Sequence, residues 1–388
     1  MKKILIVSFC SVRSSGKGLT SDFLRTIDLG NDIKIDLFDS SILKKHNRDD
    51  YLCDSYYQVP VSPLTKVLSK YRVTRFIWNE CVICNEFTRI LNKNEYDLVI
   101  LFQLPRFSDR LVKIAQKHSV KTALHPWGSD ILRCNKVDAT RISRAVKQCD
   151  YILGYNGSVA LRTVLSKYHV PPVKIVSFSM VAPGVERIQN IRDRYTRGEM
   201  QEFLGIPYSD FNIVCGYNAD PGQQHVSSIE SLFQVKEFLP KGYQVIFPVT
   251  YGDRGGYVES LKRMCADREL NGVFIEEFIT DEQMALLHLV TDLYINNQKT
   301  DNGNAFLIEA LSCNNSIISG SWLNYTQFEE YGVPYYQFET QEKLADALIQ
   351  VLTERKRSVE VPVALIQKLQ STTNDTLKIE WRDFFNQL

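Results

Sequence analysis

The sequence has no apolar run approaching the roughly 18 residues that a membrane-crossing helix needs, so none of its 388 residues is expected to span a bilayer. It has no excess of charge. The 46 Lys and Arg stand against 45 Asp and Glu, a net charge of +1, which removes a general pull toward nucleic acid. Paired cysteines are missing too. Nine Cys are scattered over the chain, and the one close pair, Cys81-Val-Ile-Cys84, lies in a helical stretch without a second pair or a nearby His to complete a zinc site. Reduced structural thiols in a cytoplasmic protein fit this pattern. The start, Met1 to Phe9, has a short apolar core but no small-residue cleavage site after it, so it reads as a strand and not a signal peptide. The loop that follows, Ser14-Ser15-Gly16-Lys17-Gly18, is no Walker A loop, since Ser11 stands where the first Gly belongs and Gly18 where Ser or Thr belongs. It is no full dinucleotide fingerprint either, because Ser21 replaces the third Gly. It fits a strand-to-helix turn or a loop lining an acceptor.

What is present is a folded composition, with 44% hydrophobic and 11% aromatic residues. Short apolar runs alternate with helical patterns from end to end. Strands are expected at Ile4–Phe9, Ile33–Leu37, Leu98–Gln103, Thr122–Leu124, Tyr151–Gly154 and Lys174–Ser177, then at Asn212–Gly216, Gln244–Pro248, Val273–Ile275, Leu293–Asn296 and Ser316–Ser319. Strands separated by helices imply parallel sheets covered on both faces. The length fits two such sheets, hence an α/β protein of two facing Rossmann-like domains. The break is expected between Val181 and Gly205, where Val-Ala-Pro-Gly-Val185 interrupts the pattern, giving domains of 1–185 and 186–365. The amphipathic end, 366–388, is expected to form a helix that returns to the first domain.

The most informative stretch is Thr300-Asp-Asn-Gly-Asn-Ala-Phe-Leu-Ile-Glu-Ala-Leu-Ser312. A strand precedes it, a Gly-bearing turn follows Asp301, and an apolar helix carries Glu309 about two turns in. This is the setting in which free N–H groups at a helix N-terminus meet a phosphate. Two carboxylates eight positions apart could then accept from hydroxyl groups on either side of a diphosphate. A helix cap and a solvated helix residue are the plainer reading of an isolated pair.

Other strand ends carry similar material. His125-Pro-Trp-Gly-Ser-Asp130 offers a His to bond a hydroxyl or carry a proton and an Asp across a Gly turn, though a structural turn around Trp127 fits it as well. Gly216-Tyr-Asn-Ala-Asp-Pro-Gly-Gln-Gln-His225, Thr250-Tyr251-Gly252 and Glu277-Phe278-Ile279 follow three successive strands. Between Pro63 and Phe76, Lys66, Lys70, Arg72 and Arg75 alternate with apolar residues, as on a helix lying against an anionic membrane or on an ordinary solvated one.

Taken in order, these segments resemble a GT-B glycosyltransferase of the large family-4 group (glycosyl transferases group 1). Asp301 to Glu309 is similar to that family's Glu-x7-Glu motif with Asp first, Asn302-Gly303-Asn304 stands for its Gly-Phe-Gly, and Phe306 to Leu311 matches its following helix. His125 to Asp130 resembles the His-Gly-Ser-Asp run of bacterial polysaccharide transferases. The loop at Asn218 to His225 lacks the family's usual Arg and Lys and, with Phe247 to Gly252 and Tyr257, looks like the 4-acetamido-fucose transferase of enterobacterial common antigen synthesis.

The resemblance implies a transferase moving a sugar from a nucleotide sugar to a lipid-linked oligosaccharide in O-antigen or capsule synthesis. The site would be cytoplasmic, on the inner face of the membrane. The chain has no Asp-x-Asp, the metal-binding pair of many other sugar transferases, so no metal is expected as cofactor, and the family-4 likeness implies net retention. By the same likeness Asp301, Asn302, Gly303, Asn304 and Ala305 would meet the donor sugar and diphosphate, with Asn218, Thr250 and Tyr251 along the phosphates. The helix dipole near Gly303, His225 or Lys299 would offset the missing cations. Glu309, Phe278 and Ile279 would take the nucleoside, and His125, Asp130 and Asp301 would be catalytic. Residues 14 to 18 would face the acceptor. A sugar-nucleotide 2-epimerase shares this architecture, and a non-catalytic nucleotide-sugar binder would also tolerate the missing cations.

Overall fold

All eleven expected strands form, because each is a run of aliphatic and β-branched residues that only a sheet covered on both faces can bury. The computed structural model describes the whole chain except residues 10–18, 28–29, 31, 43–47, 69–71, 254, 304 and 355–360. It divides into two units, one of Met1–Met180 with Asn374–Leu388 and one of Val181–Thr373.

The first unit has strands β1 (Lys2–Ser8), β2 (Ile33–Asp39), β3 (Ser55–Gln58), β4 (Leu98–Phe102), β5 (Lys121–His125), β6 (Tyr151–Tyr155) and β7 (Ile175–Phe178). They lie in the order β3-β2-β1-β4-β5-β6-β7, all parallel. β4, Leu-Val-Ile-Leu-Phe, is buried at every residue, as a central parallel strand must be. The closing helix Asn374–Asn386 belongs to this unit. Its Trp381 is fully buried and stacks on Phe178 at 3.9 Å, and Glu380 accepts from both the amide and the hydroxyl of Ser179.

The second unit has β8 (Phe211–Cys215), β9 (Tyr243–Pro248), β10 (Gly272–Ile275), β11 (Leu293–Asn296), β12 (Ser316–Gly320) and β13 (Tyr336–Phe338). Their order is β10-β9-β8-β11-β12-β13, again all parallel. The unit opens with the helix Pro183–Ile191, so the segment at Val-Ala-Pro-Gly-Val185 starts it instead of ending the first.

β3 and β13 were not expected. Both are edge strands, four and three residues long, and Ser-Tyr-Tyr-Gln in β3 is only half-buried, so neither carries the apolar run that marks the inner strands. In each sheet the chain reverses direction of winding beside its first strand, at β1/β4 and β8/β11. Open α/β sheets bind ligands outside the carboxyl ends of strands at such a point. No helix among the described residues is long and apolar enough to cross a membrane.

Candidate active site

At the β8/β11 switch point the two strand-end loops are tied to each other. Gly216, with φ +65°, turns the chain away from β8, and a Cβ there would press on His225 Nε2 at 2.8 Å and Gln223 Oε1 at 3.0 Å. Lys299 N donates to Gly222 O at 2.8 Å, Gln224 Nε2 to Asn297 O at 2.7 Å, and Tyr217 OH to Gln298 Oε1 at 3.3 Å. The loop after β9 joins them. Ala219 N donates to Tyr251 O at 2.7 Å, and Gly252 (φ +92°) sits so close to Asp220 N that a Cβ would stand 3.2 Å away. Asn218 is buried, with its Nδ2 3.5 Å from Tyr251 OH and its Oδ1 accepting from Asp220 N at 2.8 Å. The structure thus gathers Asn218, Thr250 and Tyr251 on one edge. Phe278, after β10, is exposed, while its neighbour Ile279 is buried.

Asp301 leaves β11 through Asn297-Gln-Lys-Thr300 and is held at both oxygens. Asn302 N donates to Oδ1 at 2.9 Å, and Tyr325 OH donates to Oδ2 at 2.8 Å. The turn runs through Gly303 at φ +135°, a conformation suited to glycine. The helix Ala305–Ser312 then begins, with Ala305 exposed and every later residue buried. Its N-terminal amides have no intrahelical acceptor and favour an anion. Asn304 lies outside the described residues, as does the whole loop Ser14, Ser15, Gly16, Lys17, Gly18 expected at the acceptor.

Glu309 is not a solvated helix residue. It is buried, Gly184 N donates to Oε1 at 3.2 Å, and His288 Nε2 lies 2.9 Å from Oε2. His288 is placed by the helix Asp281–Val290, whose start is fixed by a reciprocal cap between Thr280 and Gln283. Sequence reasoning missed Gly184, His288 and Tyr325. None lies near Asp301 or Glu309 in the chain, and no spacing rule connects them.

Three expectations are corrected. His225 is fully buried, its Nδ1 lies 3.3 Å from Tyr257 OH, and its Nε2 has no hydrogen-bond partner among the described residues. Burial pushes its pKa down to about 4, so at neutral pH it is uncharged and does not replace a missing cation. Among the described residues Lys299, exposed on the β11 loop, is the cation expected there that remains.

His125 likewise has no exposed surface. It is enclosed by Phe23, Phe102, Trp127, Tyr155 and Trp381 with ring centroids 5.4 to 6.3 Å away, and neither ring nitrogen has a hydrogen-bond partner among the described residues. Burial brings its pKa to about 4. Among the described residues it is a histidine packed in the core. Asp130 accepts from Leu104 N at 2.8 Å and from Trp127 N at 3.0 and 3.1 Å, closing its own loop around Gly128 (φ +101°). Burial pushes its pKa up, and the amides that bind it oppose that.

Among the described residues the second unit therefore presents a fixed carboxylate, a helix N-terminus, the exposed cation Lys299 and the exposed rings of Tyr251 and Phe278 along its strand ends. Among solved structures the chain is similar over its full length to sucrose-phosphate synthase from Thermosynechococcus elongatus, with a TM-score of 0.72, 10% identity and 99% of that chain covered. HepE from Anabaena, solved with UDP and glucose, matches with a TM-score of 0.68 and 14% identity over 100% of both chains. The fold is GT-B. WaaG, described as a glycosyltransferase involved in lipopolysaccharide biosynthesis, shares this GT-B fold with a TM-score of 0.68 and 15% identity over 98% of this chain and 99% of its own. No family model and no curated protein matches the sequence. At such identities the likeness is one of fold, which two stacks of parallel strands reach with different side chains.

Proposed function

We propose that the protein is a glycosyltransferase that takes a sugar from a nucleoside-diphosphate sugar, without a metal and with net retention, and passes it to a lipid-linked oligosaccharide in bacterial O-antigen or capsule synthesis. The observation that carries this reading is Asp301, fixed at both carboxylate oxygens at the mouth of the helix Ala305–Ser312. HepE, of the same fold, has been solved with UDP-glucose.

In this reading the leaving diphosphate lies against the amides of Gly303 and Ala305, with Lys299 and Asn218 beside it. As the anomeric carbon–oxygen bond breaks, negative charge grows on the diphosphate and a helix N-terminus stabilises it without reorganising. Asp301 contacts the sugar, Glu309 the ribose, and Phe278 the base. Thr250 and Tyr251 border the phosphates.

The acceptor and its membrane are supported by an exposed apolar group on the first unit. Leu64 and Val67 in the helix Pro63–Leu68 and Phe76 and Ile77 in the helix Arg72–Lys93 are exposed beside Arg75. The side chains of Lys66 and Arg72, and the whole of Lys70, lie outside the described residues. WaaG's description as a lipopolysaccharide enzyme agrees with the proposed pathway class.

The test is a thermal-shift screen with UDP, GDP, dTDP, CMP and their sugar conjugates, with and without Mg²⁺. A ligand at about 100 times its Kd adds roughly 2.7 kcal/mol of stability. A shift with one nucleotide, unaffected by metal, is the expected result. No shift with any of them rejects the reading, and a product anomer opposite to the donor's, assigned by NMR, rejects retention.

A further inference from the structure

Beneath Asp301 runs a buried chain of hydrogen bonds that has a single direction. Gln298 Nε2 donates to Asn296 Oδ1 at 3.1 Å. With its oxygen so engaged, Asn296 directs its amide nitrogen to Ser319 Oγ at 3.2 Å and to Tyr325 OH at 2.8 Å. An amide N–H only donates, so the Tyr325 oxygen accepts it and sends its own proton to Asp301 Oδ2. Asn296 and Tyr325 are both buried, at the ends of β11 and just past β12. A charge-assisted bond in so dry a place is strong and keeps its geometry. Burial and the neighbouring carboxylate also keep the phenol protonated, hence a donor.

We infer that Tyr325 is a positioning residue: its hydroxyl holds the Asp301 carboxylate in the orientation that meets the donor's sugar, so that preference for a sugar-bearing over a sugar-free nucleotide depends on that hydroxyl. This rests on the donor-site reading above. The tyrosine stands 24 residues beyond Asp301. Its ring packs against Phe328 and Tyr335, centroids 6.3 Å away in each case, so a phenylalanine keeps the packing and loses only the hydroxyl.

The experiment is calorimetric titration of the wild type, Tyr325→Phe and Asp301→Asn with UDP and UDP-glucose, and with GDP and GDP-mannose, alongside their urea unfolding midpoints. The expected result is that the free diphosphate binds all three within about twofold, while the sugar conjugate weakens about tenfold or more in both variants, the scale of one hydrogen bond to a charged group. Tyr325→Phe binding the conjugate like wild type overturns the inference. So does equal weakening of conjugate and free diphosphate with a lowered midpoint, since that is a merely structural role. If Asp301→Asn alone is unchanged, the carboxylate is not the sugar contact and the inference falls with it. A wild type that binds neither these pairs nor dTDP, CMP and their sugar conjugates rejects the donor-site reading itself. Should Tyr325→Phe not fold, Asn296→Ser, which removes the amide that directs the phenol, is held to the same outcomes.

Discussion

The backbone amide of Gly184 donates to Oε1 of Glu309 at 3.2 Å, and a Cβ at residue 184 would overlap that carboxylate, so a side chain there has to displace it. The first helix of the second unit is thus docked on the same acid that the sequence assigns to the nucleoside. Position 184 has an ordinary helical backbone, so the demand for glycine comes from contact and not from conformation.

Gly184→Ala should push Glu309 aside and cost about 1 to 3 kcal/mol, the usual scale of overpacking. Urea unfolding measures the loss. If Glu309 holds the ribose, affinity for the nucleoside diphosphate falls as well, by about tenfold for one charged hydrogen bond. A stable variant with wild-type affinity would remove Glu309 from the donor site.

Acid should destabilise the protein in a defined window. His125 and His225 are pushed from 6.5 down to about 4 by burial, so the folded chain keeps them neutral while the unfolded chain protonates them near 6.5. Between those values the unfolded state binds more protons. The stability each contributes is therefore intact above pH 6.5 and is lost as pH falls toward 4, at about 1.4 kcal/mol per pH unit per group. Urea midpoints from pH 7.5 to 4.5 test this.

His125→Phe should flatten part of that slope. It also removes from an aromatic cage two buried nitrogens that have no partner among the described residues, so at neutral pH it should raise stability by about 1 to 3 kcal/mol. Turnover should survive. A stable His125→Phe protein without activity would return the histidine to the reaction.

The inner strands were legible because buried parallel strands must be continuous apolar runs, as β4 and β11 are. Edge strands β3 and β13 escaped notice because half of each faces away from the core. The Asp301 to Glu309 stretch was legible as strand, glycine turn and helix, all of which are local. What holds those carboxylates was not. Tyr325, His288 and Gly184 reach them from other elements, and such meetings are set by packing and leave no period in the chain. His125 misled for the complementary reason: a histidine at a strand end looks the same in sequence whether it faces solvent or, as here, five rings.

The closing helix should be indispensable to the first unit. Trp381 is fully buried against Phe178, Phe23 and His125, and its removal opens a large cavity at the end of the sheet. Trp381→Ala should cost about 3 to 5 kcal/mol. Circular dichroism during urea unfolding measures it. An early transition confined to part of the signal would assign the loss to the first unit.

The proposed membrane contact gives the last prediction. Ile77 is 64% exposed and Leu64 54%, so neither supports the core, and a charge at either place should leave the unfolding midpoint within about 0.5 kcal/mol. On an anionic bilayer the same side chains would be buried, each worth about 1.5 to 3 kcal/mol, and each basic residue near the surface adds about 1 kcal/mol. Ile77→Asp should therefore reduce sedimentation with phosphatidylglycerol vesicles at least about tenfold, since 1.4 kcal/mol is a factor of ten. Wild-type binding should weaken with salt and be poor on phosphatidylcholine. If the wild type stays in the supernatant at low salt, the acceptor is not presented at a membrane by this face, and the exposed residues would then have to cover something other than lipid.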